Sequence, residues 1–575
     1  MKKLLSMILI LINACFVMAV NVEDVTWGGG TGLWLTQSNW TEVTTDNSKW
    51  AIPGWISGNP YNPGTWTNSS NKGFALIKSG MAQITSASRP DGRVERFYVG
   101  GTGGANLDIS ADLSAYKGWI GANAGETGTI SQTAGAVSIS GSTYFADYGT
   151  AIYNISGGSL TVSGELRVGT NGGSSGTVNV NGGTFSATNT NFSLGYQGNA
   201  ELNQTNGTVS ITCANAYIAR FGDNAGVTNV NISGGTFGIT SSSTGTGDSN
   251  GIFLGRTGTC NFNQTGGTVN LTAANSQIGI GYYKSGTTNF KNGAMSAKRY
   301  VIGYKNIDTV GTLNMSGGTL TASENMYLGE YWPANGTTEN ATKGVVNLSS
   351  GSINVTGTVY DGWSGNGAID ISGGSFKADR MFLSLNYDAS TQPQASSLKI
   401  SGGSFYLSGQ LSTYSANDVI TVSGSDATNI HVGHLVMRNN AILAFELDAG
   451  GITPVDVCDT SGVVNLDGVT LKVSTLSDFA GGIGTTYDVL KVKAGTIDMT
   501  DATLVQETGA KHTFSYAIVD DGNGGQILRF TEIQGTCGDA LHPILDADVN
   551  KDCVVDYLDV REFAESWLDC TFDCP

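Results

Sequence analysis

The chain has 575 residues, enough for several domains and a large core, and hydrophobics at 39% supply one if they recur with a period. Its 82 glycines are about twice the usual share of ~7%, while 9 prolines keep the composition below that of a disordered chain. The formal charge is −18 with no basic run after Lys2 and Lys3, which argues against nucleic acid or an anionic membrane surface as partner.

Lys2 and Lys3 precede an apolar run from Leu4 to Val17, and Val17-Met18-Ala19 fits a small-residue cleavage site. Residues 1–19 therefore read as a signal peptide, and the mature protein is expected to be secreted, extracellular or at the cell surface. Cys15 as a lipid-anchored first residue fits the pattern less well, because Phe16-Val17-Met18 would be an apolar mature start. The run is short for a membrane span, and no later segment is expected to cross a bilayer.

Residues 20–105 open with "VTWGGGTGLWLTQSNW", and Trp55 and Trp66 follow. This region is expected to be a β cap that hides the edge of a first coil. From about 106 to 430 a repeat dominates. "YNISGGSLTV" (153–162), "VNVNGGTFSA" (178–187), "VNISGGTFGI" (230–239) and "LKISGGSFYL" (398–407) share one pattern. The turn glycines, from Gly135 to Gly403, lie 23 to 33 residues apart. Each unit holds two or three short alternating runs, the mark of half-buried strands, and Gly-Gly lets the chain turn with positive φ between them. Units of this size, unable to bury an apolar face alone, predict a right-handed parallel β-helix of about 25 residues per coil. Val180, Ile232, Met315, Ile371 and Ile400 are expected in one interior column, with Asp370 facing solvent. Residues 431–534 carry longer strands with hairpin-like turns and are expected to form a terminal β region.

After the hydrophobic-Gly or equivalent step of successive units come Tyr196, Arg220, Arg256, Tyr304 and Glu330. Stacked, the first four are candidate ligand-binding residues, with rings able to pack against sugar faces. A solvated ladder is the plainer reading. Cys213 and Cys260 fall on inward positions and read as buried thiols. His431 and His434 read as surface residues on a terminal strand. No catalytic residues are assigned, since the repeats contain no His and their aspartates are scattered singly.

Residues 535–575 differ in kind. A twelve-residue loop from Asp548 places Asp548, Asn550, Asp552, the Val554 carbonyl, Asp556 and Asp559 at the ligand positions of an EF-hand, so Ca2+ is the expected cofactor. Val560, Phe563, Ala564, Trp567 and Leu568 then recur as an amphipathic helix. Cys537, Cys553, Cys570 and Cys574 are disulfide candidates, with three pairings open.

The Trp-rich start, the Gly-Gly-Thr/Ser coils and the ending "LAFELD…VVNLDGVTLKV…TYDVLKV" resemble autotransporter-passenger-type β-helix repeat proteins over roughly residues 25–530. Residues 537–575 resemble a short, Cys-rich dockerin, with one loop where dockerins have two. Cys553 stands in place of the loop glycine, and Tyr557 and Leu558 where small hydroxyl residues are common. The resemblance implies a mainly β protein ending in a small α-helical EF-hand or dockerin-like module. It implies a cohesin-like or cell-surface partner for the tail and a polysaccharide for the β-helix. An exported, non-catalytic attachment or carbohydrate-contacting protein is the first reading, and a polysaccharide-degrading lyase or glycoside hydrolase with the same tail is the alternative.

Overall fold

A computed structural model describes residues 24–27, 30–33, 40–42, 74–86, 94–220, 226–245, 250–305, 309–330, 342–385, 395–438, 440–458, 462–506, 511–534, 549 and 557–570. Within this span the chain is a parallel β-solenoid of about 14 turns. It divides into two compact units, Met1–Ala297 and Lys298–Pro575.

In the first unit each coil contributes strands to three parallel sheets. One runs through Gly80–Ile84, Ala105–Ile109, Thr127–Gln132, Thr150–Ile155, Ser175–Val180, Asn199–Gln204, Val227–Ile232 and Thr259–Gln264. Inward and outward residues alternate, so Tyr153, Ile155, Val178, Val180 and Leu202 are buried while their neighbours face outward. Outward asparagines 154, 179, 203, 231, 263 and 289 form a ladder, each later amide donating to the preceding side-chain carbonyl at 2.7 to 3.2 Å.

The turn glycines explain the repeat. Gly135, Gly158, Gly183, Gly207, Gly235 and Gly267 all have φ between 64° and 76°. A Cβ on Gly183 would sit 2.5 Å from the carbonyl oxygen of Gly158 in the coil before it. Both the left-handed conformation and the close stacking of turns therefore require glycine.

Val180 and Ile232 share an interior column, but Gln204 lies between them, and Gln132 and Gln264 occupy the same column. These three glutamines are fully buried. Each amide nitrogen donates to a turn carbonyl: Gln132 to Gly135 at 2.9 Å, Gln204 to Gly207 at 3.1 Å, and Gln264 to Gly267 at 3.1 Å. They hold the glycine turns from inside.

In the second unit Met315, Leu348, Ile371, Ile400, Val422, Phe445 and Val473 stack in register as one buried column. Asp370 is exposed, as the strand phase predicts.

Parallel pairing begins at Asp24–Trp27 against Phe74–Ile77 and continues to Thr470–Thr475 against Thr503–Gln506. The coils thus extend on both sides of the expected 106–430. The region 431–506 carries parallel strands rather than hairpins. Antiparallel pairs form between Thr486–Val492 and Gln526–Gln534, and between Thr513–Asp520 and Gln526–Gln534. A third joins Asp24–Trp27 to Trp40–Glu42. Coils persist after the Gly-Gly-Thr/Ser turns stop because the same corner is turned by Gly424 at φ 69° and Gly451 at 93°.

One helix is present among the described residues, Tyr557–Cys570. An EF-hand needs a helix on each side of its loop, so a complete helical module is not seen. None of the described helices is long and apolar enough to cross a membrane.

Candidate functional site

A strand in the third sheet ends each coil of the first unit with X, a hydrophobic residue and then Gly or Ala, and X points outward by strand parity. These outward residues stack in register as Tyr98, Trp119, Tyr144, Arg167, Ser193, Tyr217 and Phe253. Trp119 and Tyr144 are stacked with centroids 6.0 Å apart, and Tyr217 and Phe253 at 5.5 Å. The following turn supplies the expected Tyr196, Arg220 and Arg256. The Arg167 guanidinium lies 4.1 Å from the Tyr196 ring centroid and Arg220 5.1 Å from it; Arg220 and Arg256 also lie 4.3 and 5.2 Å from Tyr217. Three of the expected residues therefore join one cation–π ladder.

The ladder is sealed at its Tyr217–Phe253 end, while Tyr98, Trp119, Tyr144 and Tyr196 are half-buried. Tyr217 is 3% exposed and Phe253 is fully buried. Burial lowers the Arg220 pKa, with Tyr217 and Tyr196 opposing, and burial raises that of Tyr217 against the pull of Arg220 and Arg256. For Arg167, burial works against the charge, but the paired Glu165 carboxylate, at 2.9 and 3.0 Å, prevails and raises its pKa. Guanidiniums spread over rings in this way stabilise the solenoid and cover part of the ring faces.

The second unit presents a continuous column of half-buried rings. Tyr327, Tyr360 and Phe382 are in register on successive coils, all half-buried. Tyr327 and Tyr360 stack at 4.8 Å, and Phe382 lies 6.0 Å beyond Tyr360. Trp363 stands edge-on to Tyr360 at 4.7 Å, and Tyr414 edge-on to Phe382 at 6.0 Å. A cation marks each end: Arg299 lies 4.1 Å from the Tyr327 centroid and pairs with Glu330, and Arg438 lies 5.3 Å from Tyr414. Glu330, expected on the outward stripe, is 4% exposed, and Tyr304 is 6% exposed. Neither is an open ligand contact.

These platform residues were not singled out from the sequence. The signal was present in "FYVG" (97–100), "GWIG" (118–121), "LRVG" (166–169), "IFLG" (252–255) and "MYLG" (326–329), where the second residue is outward by strand parity.

Cys213 and Cys260 are buried free thiols, and burial pushes both up to about 12. His431 stacks on Tyr406 at 4.5 Å, with its Nδ1 3.7 Å from Cys458 Sγ. His434 pairs with Gln410 beyond a register shift, so the two histidines belong to different stretches of the ladder.

Of the expected calcium ligands, Asp548, Asn550, Asp552, Val554 and Asp556 lie outside the described residues, as do Cys537, Cys553 and Cys574. Asp559 sits in the first turn of the helix and is 2% exposed. Cys570 is the last helical residue. Val560 and Phe563, expected on the helix's apolar face, are 61% and 58% exposed. Among the described residues no group of three or more His, Cys, Asp or Glu converges as a metal site. No protein-family model matches the chain, and no curated protein matches it.

Proposed function

We propose that this is an exported, non-catalytic solenoid protein that contacts carbohydrate through the Tyr327, Tyr360, Trp363, Phe382 and Tyr414 face. Its acidic tail is a calcium-binding, dockerin-like module that attaches the solenoid to a cohesin-like or cell-surface partner. The passenger-type resemblance supports a role in attachment rather than turnover.

The observation that carries the carbohydrate reading is the in-register ring column, half-exposed and flanked by Arg299 and Arg438. Aromatic faces pack against the apolar C–H faces of sugars, while neighbouring cations and amides hydrogen-bond hydroxyl or acidic groups. A column with one ring per coil repeats at the strand spacing of ~4.8 Å, which suits an extended chain ligand better than a compact one. The tail reading rests on the spacing of Asp548, Asn550, Asp552, Asp556 and Asp559, with Asp559 opening the helix.

A glycan array with purified protein tests the reading, run beside a reducing-sugar assay on the polysaccharides that bind. Binding without product release is the expected result. Release of reducing ends would convert the reading to a polysaccharide-degrading enzyme, and absence of any glycan binding would remove the carbohydrate role.

A further inference from the structure

Beneath the aromatic platform the interior has an unexpected member. Asp361 lies in register between Leu328 and Leu383, an otherwise apolar position. It is fully buried, and neither carboxylate oxygen has a hydrogen-bond partner. A carboxylate stripped of water and left unpaired is strongly disfavoured unless it is neutralised or faces a cation.

The surrounding chain brings oxygens to this point. Asp361 begins the segment "DGWSGNG", whose glycines leave no room for side chains. A Cβ on Gly367 would overlap Asp361 Oδ1, and one on Gly362 would overlap Ser396 Oγ and lie 2.9 Å from the Gly365 carbonyl oxygen. Ser396 Oγ accepts from the Gly367 amide at 3.2 Å and lies 3.0 Å from Ser384 Oγ. Ser384 Oγ hydrogen-bonds Asp418, whose carboxylate also accepts from the amides of Ser396, Tyr414 and Ser415 at 3.1, 2.9 and 2.9 Å. Burial first, then the charge of Asp418, works against ionisation of Asp361. Ser364 and Ser384 both have left-handed backbones, at φ 61° and 50°, a strain that persists where surroundings over-determine a local geometry.

We infer that the interior of this coil binds one calcium ion, ligated by the Asp361 carboxylate with the Ser396 hydroxyl and the Gly365 carbonyl, and balanced by the charge of Asp418. A carboxylate with neutral oxygens, backed by the charge of a second carboxylate held in its own hydrogen bonds, matches the oxygen preference of a hard divalent cation. The site is distinct from the tail loop, and its consequence is positional. The Asp361 segment carries Tyr360 and Trp363, and the Asp418 network holds the amide of Tyr414. The ion fixes the platform's loops from below.

The test uses the full chain with the tail loop disabled by D548A/D552A, stripped with chelator and then titrated with calcium alone. Equilibrium dialysis should find one ion retained in this background and none after adding D361L. Leucine matches the neighbours Leu328 and Leu383, so D361L is expected to fold; D361N, which keeps the shape, should weaken binding at least tenfold. Terbium emission excited through indole should fall several-fold in W363F, while calcium stoichiometry stays at one. No ion in the D548A/D552A background, or an ion retained in D361L, would overturn the proposal and leave Asp361 as a neutral buried carboxyl.

Discussion

The buried glutamines make the sharpest test of how the turns are held. Gln132 Nε2 donates to the carbonyls of Gly135 and Ser159, both at 2.9 Å, and its Oε1 accepts from the Tyr153 hydroxyl at 3.0 Å. Gln132 is fully buried and Tyr153 is 1% exposed, and burial raises the Tyr153 hydroxyl well above its ordinary value. Gln132→Met keeps volume and removes all three bonds. Each bond contributes about 1 kcal/mol net, and an orphaned buried hydroxyl costs about 1–3 kcal/mol. The substitution should therefore cost about 4–6 kcal/mol, less what the thioether regains by burial. Tyr153→Phe alone strands the Gln132 carbonyl and should cost about 1–3 kcal/mol. In the Q132M background Y153F removes the orphan instead of making one, so the cycle should show about 1–2 kcal/mol of coupling. In a solenoid each coil contacts only its neighbours, so hydrogen exchange in peptides covering 127–162 should register the loss while distant coils stay protected. Additive effects within about 0.5 kcal/mol, or full protection in Q132M, would refute the idea that this amide holds the turn.

Other expectations follow from the same structure. Ile371→Asp should destabilise its coil by about 3 kcal/mol or more, because it buries an unpaired carboxylate, whereas Asp370→Asn should change stability by less than about 0.5 kcal/mol. Equal denaturation midpoints would show the strand phase to be wrong. Burial works against ionisation of Glu126, but bonds from Tyr98, Asn123 and Lys78 prevail and lower its pKa. A carboxylate lowered in the folded state adds stability above its unfolded pKa and loses it as pH falls through the folded one. Unfolding curves of Glu126→Gln should therefore be less acid-sensitive below about pH 4.3 than wild type. An unchanged acid limb would show the cluster contributes nothing. Under native conditions thiol reagents should modify half-exposed Cys458 before buried Cys213 and Cys260, as mapped by mass spectrometry. For the tail, calorimetry on oxidised full-length protein should lose a calcium-binding event in D548A/D559A but keep it in Asp573→Ala; no difference between the two would reduce the tail to a solvated acidic surface.

Much of the fold was legible because the solenoid repeats one simple rule. Alternation set which residues face inward, and Ile371 and Asp370 fall as that rule requires. Positive-φ glycines marked the turns. The rule broke where a contact lies outside the strand itself. Gln132, Gln204 and Gln264 look outward on polarity, yet the amide nitrogen of each donates to a turn carbonyl three residues on, which a linear pattern of hydrophobicity does not register. The extension past Gly403 was hidden because the equivalent corners, at Gly424 and Gly451, lack the Gly-Gly-Thr/Ser mark. The candidate face was only half visible. Aligning residues after the hydrophobic-Gly or equivalent step found Tyr196, Arg220 and Arg256, but the rings one position before the last hydrophobic residue build the column. Sequence also could not tell that arginines close over Tyr217 and Phe253 in the first unit, since ring exposure is decided by neighbouring coils. Asp361 was equally hidden, because one carboxylate in a degenerate repeat gives no periodic signal.

The central claim is that the ring column of the second unit binds carbohydrate. Affinity electrophoresis of full-length protein through gels containing a polysaccharide from the array measures this directly. Y360A/W363A should lose at least tenfold in affinity, while Y196A should migrate like wild type. Equal retardation of wild type and Y360A/W363A, or a loss confined to Y196A, would contradict the account.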